Sequence, residues 1–174
     1  MWKTLRQIAR VGRISEPPAA VSDGTVEFDA ESRIRREMLR VLGRALAIRV
    51  VDAGSCNGCE LEVNALSNPY YNIEGLGIQF VASPRHADLL LVTGPVSYNM
   101  ELALRRTYEA IPEPRLVVAA GDCAANCGVF GQGYAIAGPL ARILPVDVTV
   151  HGCPPAPEAL LRGLLHAVRR VQGT

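Results

Sequence analysis

Five apolar runs, separated by stretches with helical periodicity, constrain the fold of this 174-residue chain more than any other feature. The runs are 45–51, 77–82, 88–93, 115–120 and 146–150, and the helical stretches lie near 58–67, 98–111 and 156–171. Strands that are apolar nearly throughout are buried on both faces, and when helices separate them they form a parallel sheet that the helices cover. The sequence therefore predicts an α/β fold, doubly wound, with a mainly parallel, flavodoxin-like sheet.

The N-terminal part of the chain has a different pattern. Residues 1–14 have the spacing of a short amphipathic helix with a basic face, and Glu16-Pro17-Pro18 would end it. Residues 15–30 are predicted to be an extended linker, and a second helix is predicted from residue 31 to about residue 43. We therefore expect an N-terminal helical arm and linker at residues 1–30 and an α/β domain at residues 31–174. The arm suits either a membrane surface or an acidic partner, the alternative being an ordinary surface helix.

Four of the five cysteines directly follow predicted strands. Cys56 and Cys59 follow the first strand, Cys123 follows the fourth, and Cys153 follows the fifth. The loops after the carboxyl ends of parallel strands lie along one edge of the sheet, so these four cysteines should converge. The sequence thus predicts one site built from four thiols that are far apart along the chain.

Four thiolates at one site suit either zinc or an iron–sulfur cluster. A structural zinc usually takes two closely spaced pairs, whereas this chain has one CxxC and two single cysteines. Glycines beside the cysteines would let a bulky cluster approach the backbone and its N–H groups. These are Gly54, Gly58, Gly121, Gly128 and Gly152. The spacing therefore favours an iron–sulfur cluster, and a thioredoxin-like use of Cys56 and Cys59 alone would leave the other two cysteines without a role.

Composition and charge exclude several other classes of function. The chain is 49% apolar, which is typical of a folded protein, and its net charge of +1 gives no reason to expect nucleic-acid binding. No apolar stretch approaches the ~20 residues that cross a bilayer, and arginines interrupt any export signal at the N-terminus. We therefore expect a cytoplasmic location, where thiols stay reduced.

The cysteine motifs DAGSCNGCELE, GDCA and GCPPAPEALL resemble the proximal-cluster motifs of [NiFe]-hydrogenase small subunits and of the related 20 kDa subunit of respiratory complex I. The likeness covers roughly residues 35–172. The complex I subunit typically has two adjacent cysteines where this chain has CNGC, so the spacing resembles the hydrogenase side. The opening MWKTLRQIARVGRISEPP also resembles the small subunit of membrane-bound group 4 hydrogenases, such as formate hydrogenlyase.

The resemblance implies one [4Fe–4S] cluster on Cys56, Cys59, Cys123 and Cys153, in a subunit with no complete active site of its own. It implies an electron relay between a [NiFe] site in a large subunit and ferredoxin-like iron–sulfur subunits, with membrane subunits near the N-terminal arm. The complex would lie on the cytoplasmic side of the inner membrane. Two alternatives stay open: a quinone-linked or other hydrogenase-free complex with a 49 kDa-like partner, and a stand-alone zinc or thiol protein.

Several residues near the motifs have uncertain roles. Cys127 departs from the family pattern and is either a spare thiol near the cluster or a small buried residue. Glu60 and His151 could respond to the charge of the cluster, or could be an ordinary helix-start carboxylate and a loop histidine. Asp122 is expected to cap the turn that follows it. Gly94, Pro95 and Val96 are weaker candidates for the lining of the cluster and the partner surface, and Tyr70, Tyr71 and Asn72 belong equally well to an interface or to the core.

Overall fold

The computed structural model describes residues 45–172, together with the single positions Trp2, Arg6 and Arg36, which are helical and exposed. The predicted arm, linker and second helix otherwise lie outside the described residues. The division of the chain near residue 30 therefore stays a prediction. No helix in the described part of the chain is long and apolar enough to span a membrane.

Seven strands and five α-helices are described. The strands are β1 (Leu46–Asp52), β2 (Ile78–Phe80), β3 (Leu89–Thr93), β4 (Val96–Ser97), β5 (Leu116–Ala120), β6 (Ile136–Gly138) and β7 (Val148–Val150). The helices are α1 (Gly58–Ala65), α2 (Tyr98–Ala110), α3 (Asp122–Asn126), α4 (Leu140–Ile143) and α5 (Pro157–Gln172). Short 3-10 turns occupy Pro84–His86 and Gly128–Phe130.

The main sheet contains the five predicted strands, in the order β2-β1-β3-β5-β7, and every pair is parallel. This is the strand order of the flavodoxin-like doubly wound fold, so the predicted fold class is confirmed. Strands β4 and β6 form a separate antiparallel ribbon that the sequence did not predict. They are two and three residues long, too short for their side-chain alternation to be visible in the sequence.

Alternate residues of the central strands enter two different hydrophobic layers. Leu89 and Leu91 of β3 pack into the layer that contains residues of α1 and α5, such as Val63 and Leu164. Leu90 and Val92 of the same strand pack into the layer on the other face, with residues from α2, α3 and α4. Because successive side chains of a strand point to opposite faces, helices cover the sheet on both sides.

Aspartates tie neighbouring strands together where those strands begin. Asp88 Oδ2, just before β3, accepts a hydrogen bond from the Ala47 N–H at 3.0 Å. Asp147 Oδ2, just before β7, accepts one from the Val117 N–H at 2.8 Å. The cysteine loops follow the strands and therefore lie at the opposite edge of the sheet, where the strands end.

Candidate metal centre

The loop after β1 carries Cys56 and leads into the first turn of α1, which carries Cys59. Asp52 Oδ1 accepts a hydrogen bond from the Ser55 N–H at 2.7 Å, and this bond folds the chain back at the end of the strand. Asn57 is left-handed, with φ 71°, and turns the chain into the helix. As a result Cys56 is exposed and Cys59 is buried.

The loop after β5 carries Cys123, which is buried in α3. The pKa of the Cys123 thiol is raised mainly by burial, while a hydrogen bond from the Val129 backbone N–H lowers it. A donor that points at a sulfur stabilises its thiolate form. Cys123 is therefore a buried thiol that already has one backbone donor directed at it.

The loop after β7 carries Cys153, which is exposed and precedes a cis peptide bond to Pro154. Asp122 holds this loop: Oδ1 accepts a hydrogen bond from the Gly152 N–H at 3.2 Å and lies 3.1 Å from His151 Nδ1. Both contacts lower the pKa of the Asp122 carboxyl below its usual value, and the hydrogen bond from the Gly152 N–H has the larger effect. The hydrogen bonds of the Asp122 side chain go to residues 151 and 152 and not to the turn that follows it, so in place of the expected turn cap Asp122 joins two cysteine loops.

The structure brings the four predicted cysteines together. Burial raises the pKa of the Cys59 thiol to about 12, with further upward contributions from Glu60 and then from the other three cysteines of the predicted set. Charge–charge interactions fall off with distance, so such contributions require that these groups lie near Cys59. That Cys56, Cys123 and Cys153 bind one cluster together with Cys59 stays a prediction.

Cys127, the fifth cysteine of the chain, is buried. The pKa of its thiol is raised by burial alone, with no contribution from another cysteine. It ends α3 in the left-handed region, with φ 71°, and its N–H donates to the Cys123 carbonyl oxygen at 3.0 Å. Cys127 is therefore buried at the end of a helix, and whether it also serves the cluster stays a prediction.

Two glycines lie directly against cysteine sulfurs. A Cβ on Gly121 would lie 2.6 Å from Cys59 Sγ, and one on Gly128 would lie 2.8 Å from Cys123 Sγ. Both are closer than real Cβ contacts come, so the backbone occupies space next to the sulfurs that no side chain could share. Of the five glycines predicted to admit a cluster, Gly121 and Gly128 therefore lie tightly against thiols and Gly58 lies near one, whereas Gly54 and Gly152 pack against other loop residues.

Glu60 is unusual because both of its carboxylate oxygens are buried and have no hydrogen-bond partner among the described residues. A buried charge without a partner is costly, so a carboxylate in this place calls for a compensating group. Among residues 45–172, no three Cys, His, Asp or Glu side chains are arranged to hold a single metal ion.

The weaker candidates are divided between the cysteine edge and the body of the domain. Gly94, with φ 72°, packs against the cysteine loop after β1, since a Cβ there would lie 2.6 Å from the Ser55 nitrogen. Val96 is fully buried and begins β4. Tyr70 and Tyr71 form an edge-to-face pair, and Tyr71 packs against the hydrophobic core. Gly94 therefore lies at the cysteine edge, Val96 belongs to the hydrophobic core, and the tyrosines lie in the turn after α1.

Sequence reasoning missed a set of exposed apolar side chains in and beside the cysteine loops. For Val129, Phe130 and Tyr134 the signal in the sequence is apolar residues within a glycine-rich segment, where polar residues are usual, whereas Leu61 and Tyr98 lie on the helices α1 and α2. The set is Leu61, Tyr98, Val129, Phe130 and Tyr134, with Val129 78% and Tyr134 101% exposed.

Comparisons with known proteins agree with the resemblance in the motifs. Probable membrane-bound hydrogenase subunit mbhJ of Pyrococcus furiosus is 43% identical over 141 residues, which cover 81% of this chain and 84% of that protein. Formate hydrogenlyase subunit 7 of Escherichia coli is 38% identical over 135 residues, 78% of this chain but only 53% of that protein.

A solved structure extends the similarity to the fold. A chain in the membrane-bound sulfane sulfur reductase, an archaeal respiratory membrane complex, superimposes with a TM-score of 0.67 at 32% identity. The match covers 80% of this chain and 76% of that one. The family model for the NADH ubiquinone oxidoreductase, 20 Kd subunit, matches residues 56–167, from the first cysteine to the middle of α5. This chain therefore belongs to the family of the 20 Kd subunit of NADH ubiquinone oxidoreductase, together with subunits of membrane-bound hydrogenases.

Proposed function

We propose that this chain is an electron-relay subunit of a membrane-bound, hydrogenase-type oxidoreductase, and that it holds one [4Fe–4S] cluster. Cys56, Cys59, Cys123 and Cys153 would be the ligands. The observation that carries the proposal is that the loops of these thiols meet at one edge of the sheet: a Cβ on Gly121 would lie 2.6 Å from Cys59 Sγ and 3.4 Å from the Gly152 carbonyl oxygen, and the other three thiols all contribute to the raised pKa of Cys59. Subunits of membrane-bound oxidoreductase complexes are this chain's relatives.

The donor set suits a cluster better than a single zinc ion. All four ligands of zinc bind the same ion at about 2.3 Å, so they must lie very close together. The ligands of a [4Fe–4S] cluster each bind a different iron at the corners of a cube and are spaced more widely. Four neighbouring thiols with glycine backbone against two of the sulfurs fit the second arrangement.

When bound, the cluster would accept and release single electrons. The protein would supply the four thiolates, two of them from buried cysteines and two from exposed ones. The site therefore opens to the surface on the side of Cys56 and Cys153, while Cys59 and Cys123 anchor it against the core. Such an arrangement suits a relay, because electron transfer between subunits needs a short path from the cluster to the partner.

The partner surface would surround the open side of the site. Apolar side chains that are exposed and concentrated in a few loops are typical of surfaces that another protein covers. Leu61, Val129 and Phe130 follow cysteines closely along the chain, which supports docking of a large subunit at this edge, while the exposed Tyr70, Phe80 and Leu102 lie outside the cysteine loops. Ferredoxin-like subunits would continue the relay, and the N-terminal arm would meet membrane subunits on the cytoplasmic face.

A second candidate function is the same relay in a complex without a nickel–iron site, where the cluster donates electrons to quinone or to another acceptor. The similarity to a chain of the sulfane sulfur reductase complex supports this alternative. The two candidates share the cluster and differ in the large subunit, which must supply four cysteines for nickel and iron in the hydrogenase case.

Anaerobic purification of the complex through a tag on this chain would test both the cluster and the partner. We expect acid-labile sulfide and about four irons per chain beyond those of the other subunits, with an electron paramagnetic resonance signal that disappears in Cys59→Ala. Zinc without acid-labile sulfide at this site would overturn the proposal. Nickel in the copurified large subunit would favour a hydrogenase, and its absence would favour the second candidate.

A further inference from the structure

The loops of Cys123 and Cys153 are joined by a set of contacts centred on Asp122. The Asp122 N–H donates to the Gly152 carbonyl oxygen at 2.9 Å, and the Gly152 N–H donates back to Asp122 Oδ1 at 3.2 Å. His151 Nδ1 lies 3.1 Å from the same oxygen. One residue thus binds the other loop through both its backbone and its side chain.

The position of the second loop depends on these contacts. Residues 151–156 belong to no helix or strand, so regular hydrogen bonding does not fix them. Gly152 has φ 142°, and a Cβ there would lie 2.5 Å from Pro155 Cα, so the loop is tightly folded upon itself. The Asp122 carboxylate is a side-chain contact that ties this compact loop to the residues that follow β5.

From this geometry we infer that Asp122 is a positioning residue for the cluster: its carboxylate fixes the loop of Cys153 relative to Cys123. The inference rests on the proposed function. In this role Asp122 is not itself a ligand of iron, and it acts through the two loops that carry the ligands Cys123 and Cys153. Residues that orient metal ligands typically change metal affinity about 10- to 100-fold when they are mutated.

The same pair of strands contains a matched control. At the opposite edge, Asp147 Oδ2 accepts a hydrogen bond from the Val117 N–H at 2.8 Å, so it also ties the β7 segment to β5 through a carboxylate–backbone bond. Asp147→Ala removes a bond of the same kind, away from the cysteines. A difference between Asp122→Ala and Asp147→Ala therefore reports on the cluster rather than on general stability.

The test compares four complexes purified anaerobically: wild type, Asp122→Ala, Asp122→Asn and Asp147→Ala. The measurements are the rate at which an iron chelator removes the cluster and the resonance signal assigned to this chain by its loss in Cys59→Ala. We expect Asp122→Ala to lose its cluster about 10-fold faster and to show shifted g-values. Asp122→Asn retains an acceptor oxygen for Gly152 and should restore both properties, and Asp147→Ala should match the wild type.

Equal behaviour of Asp122→Ala and Asp147→Ala would overturn the inference, as would an Asn variant with shifted g-values. If the Ala variant does not assemble, the Asn variant decides: wild-type g-values support positioning by the acceptor, and shifted ones contradict it. A wild-type complex without a signal that depends on Cys59 would instead contradict the proposed function, so the two failures are distinguishable.

Discussion

Gly121 lies directly against the sulfur of Cys59, so that a Cβ on Gly121 would be 2.6 Å from Sγ. The two residues belong to loops that follow different strands, β5 and β1, and they meet at the edge where both strands end. Gly121 also has φ 88°, a conformation that side chains rarely adopt. The spacing between these two cysteine loops is therefore set at a position that only glycine can occupy.

Gly121→Ala should lower both the stability of the chain and its iron content. The methyl group would displace the Cys59 sulfur, and the left-handed backbone adds about 1 to 2 kcal/mol. Gly77→Ala is the control, because Gly77 has φ 82° but nothing lies within 4 Å of its Cβ position. Thermal unfolding should show a loss in both variants, and iron analysis should show a loss in Gly121→Ala alone. Equal iron contents would contradict the packing argument.

Cys127→Ala should retain the cluster, whereas Cys123→Ala should lose it. Cys127 is buried and receives no charge contribution from the other thiols, while Cys123 interacts with Cys153 and Cys56. Iron and acid-labile sulfide analysis of the two purified complexes checks this prediction. Loss of iron from the Cys127 variant, with an unchanged melting temperature, would instead identify Cys127 as a ligand.

Alkaline pH should favour cluster assembly on the cluster-free chain. The pKa of the Cys59 thiol is about 12, above the ordinary 9.0, chiefly because of burial and then because of the charge on Glu60. Because the pKa of this thiol is higher in the folded chain than in the unfolded chain, the protonated thiol contributes to stability below pH 9.0, and this contribution is lost as the pH rises towards 12. Binding of iron, by contrast, requires the thiolate form. Reconstitution with iron and sulfide should therefore accelerate with rising pH.

Removing the Glu60 charge should shift this pH dependence. Glu60→Gln takes away a negative charge that opposes the thiolate, so reconstitution should reach the same rate at a lower pH than in the wild type. Glu62→Gln is the control, because Glu62 makes no contribution to the pKa of Cys59. Rates are followed by the visible absorbance of the cluster. The same shift in both variants would show that helix charge in general, rather than Glu60, is responsible.

The sheet and the four-cysteine edge could be predicted because each depends on a local pattern. The five apolar runs are buried strands, and a cysteine that directly follows such a run must lie at the sheet edge where the strand ends. The contacts that define the site in detail are not local. Asp122 meets Gly152, and Gly121 meets Cys59, only because of the order of strands in the sheet.

The role of Cys127 also could not be predicted from the sequence alone. Cys127 lies in the segment CAANC, close to Cys123. A cysteine in such a segment can be either a cluster ligand or a small buried residue, so its position in the sequence does not distinguish the two roles. What the folded chain adds is the left-handed backbone at the end of α3 and a thiol whose pKa is raised by burial alone. Both are properties of the folded chain.

Tyr134 and Val129 should contribute to subunit assembly and not to the fold of this chain. Both side chains are largely exposed, and truncating surface residues usually changes stability by less than about 0.5 kcal/mol. Aromatic side chains that a partner covers often contribute ~2 kcal/mol or more to binding. Tyr134→Ser and Val129→Ser should therefore reduce the amount of large subunit that copurifies, while thermal unfolding of the chain itself stays the same.

Two control variants should copurify with the large subunit normally. Tyr134→Phe keeps the aromatic ring, and Glu109→Ser changes an exposed residue near the end of α2. Full recovery of the large subunit with both serine variants would place the partner surface elsewhere on the chain.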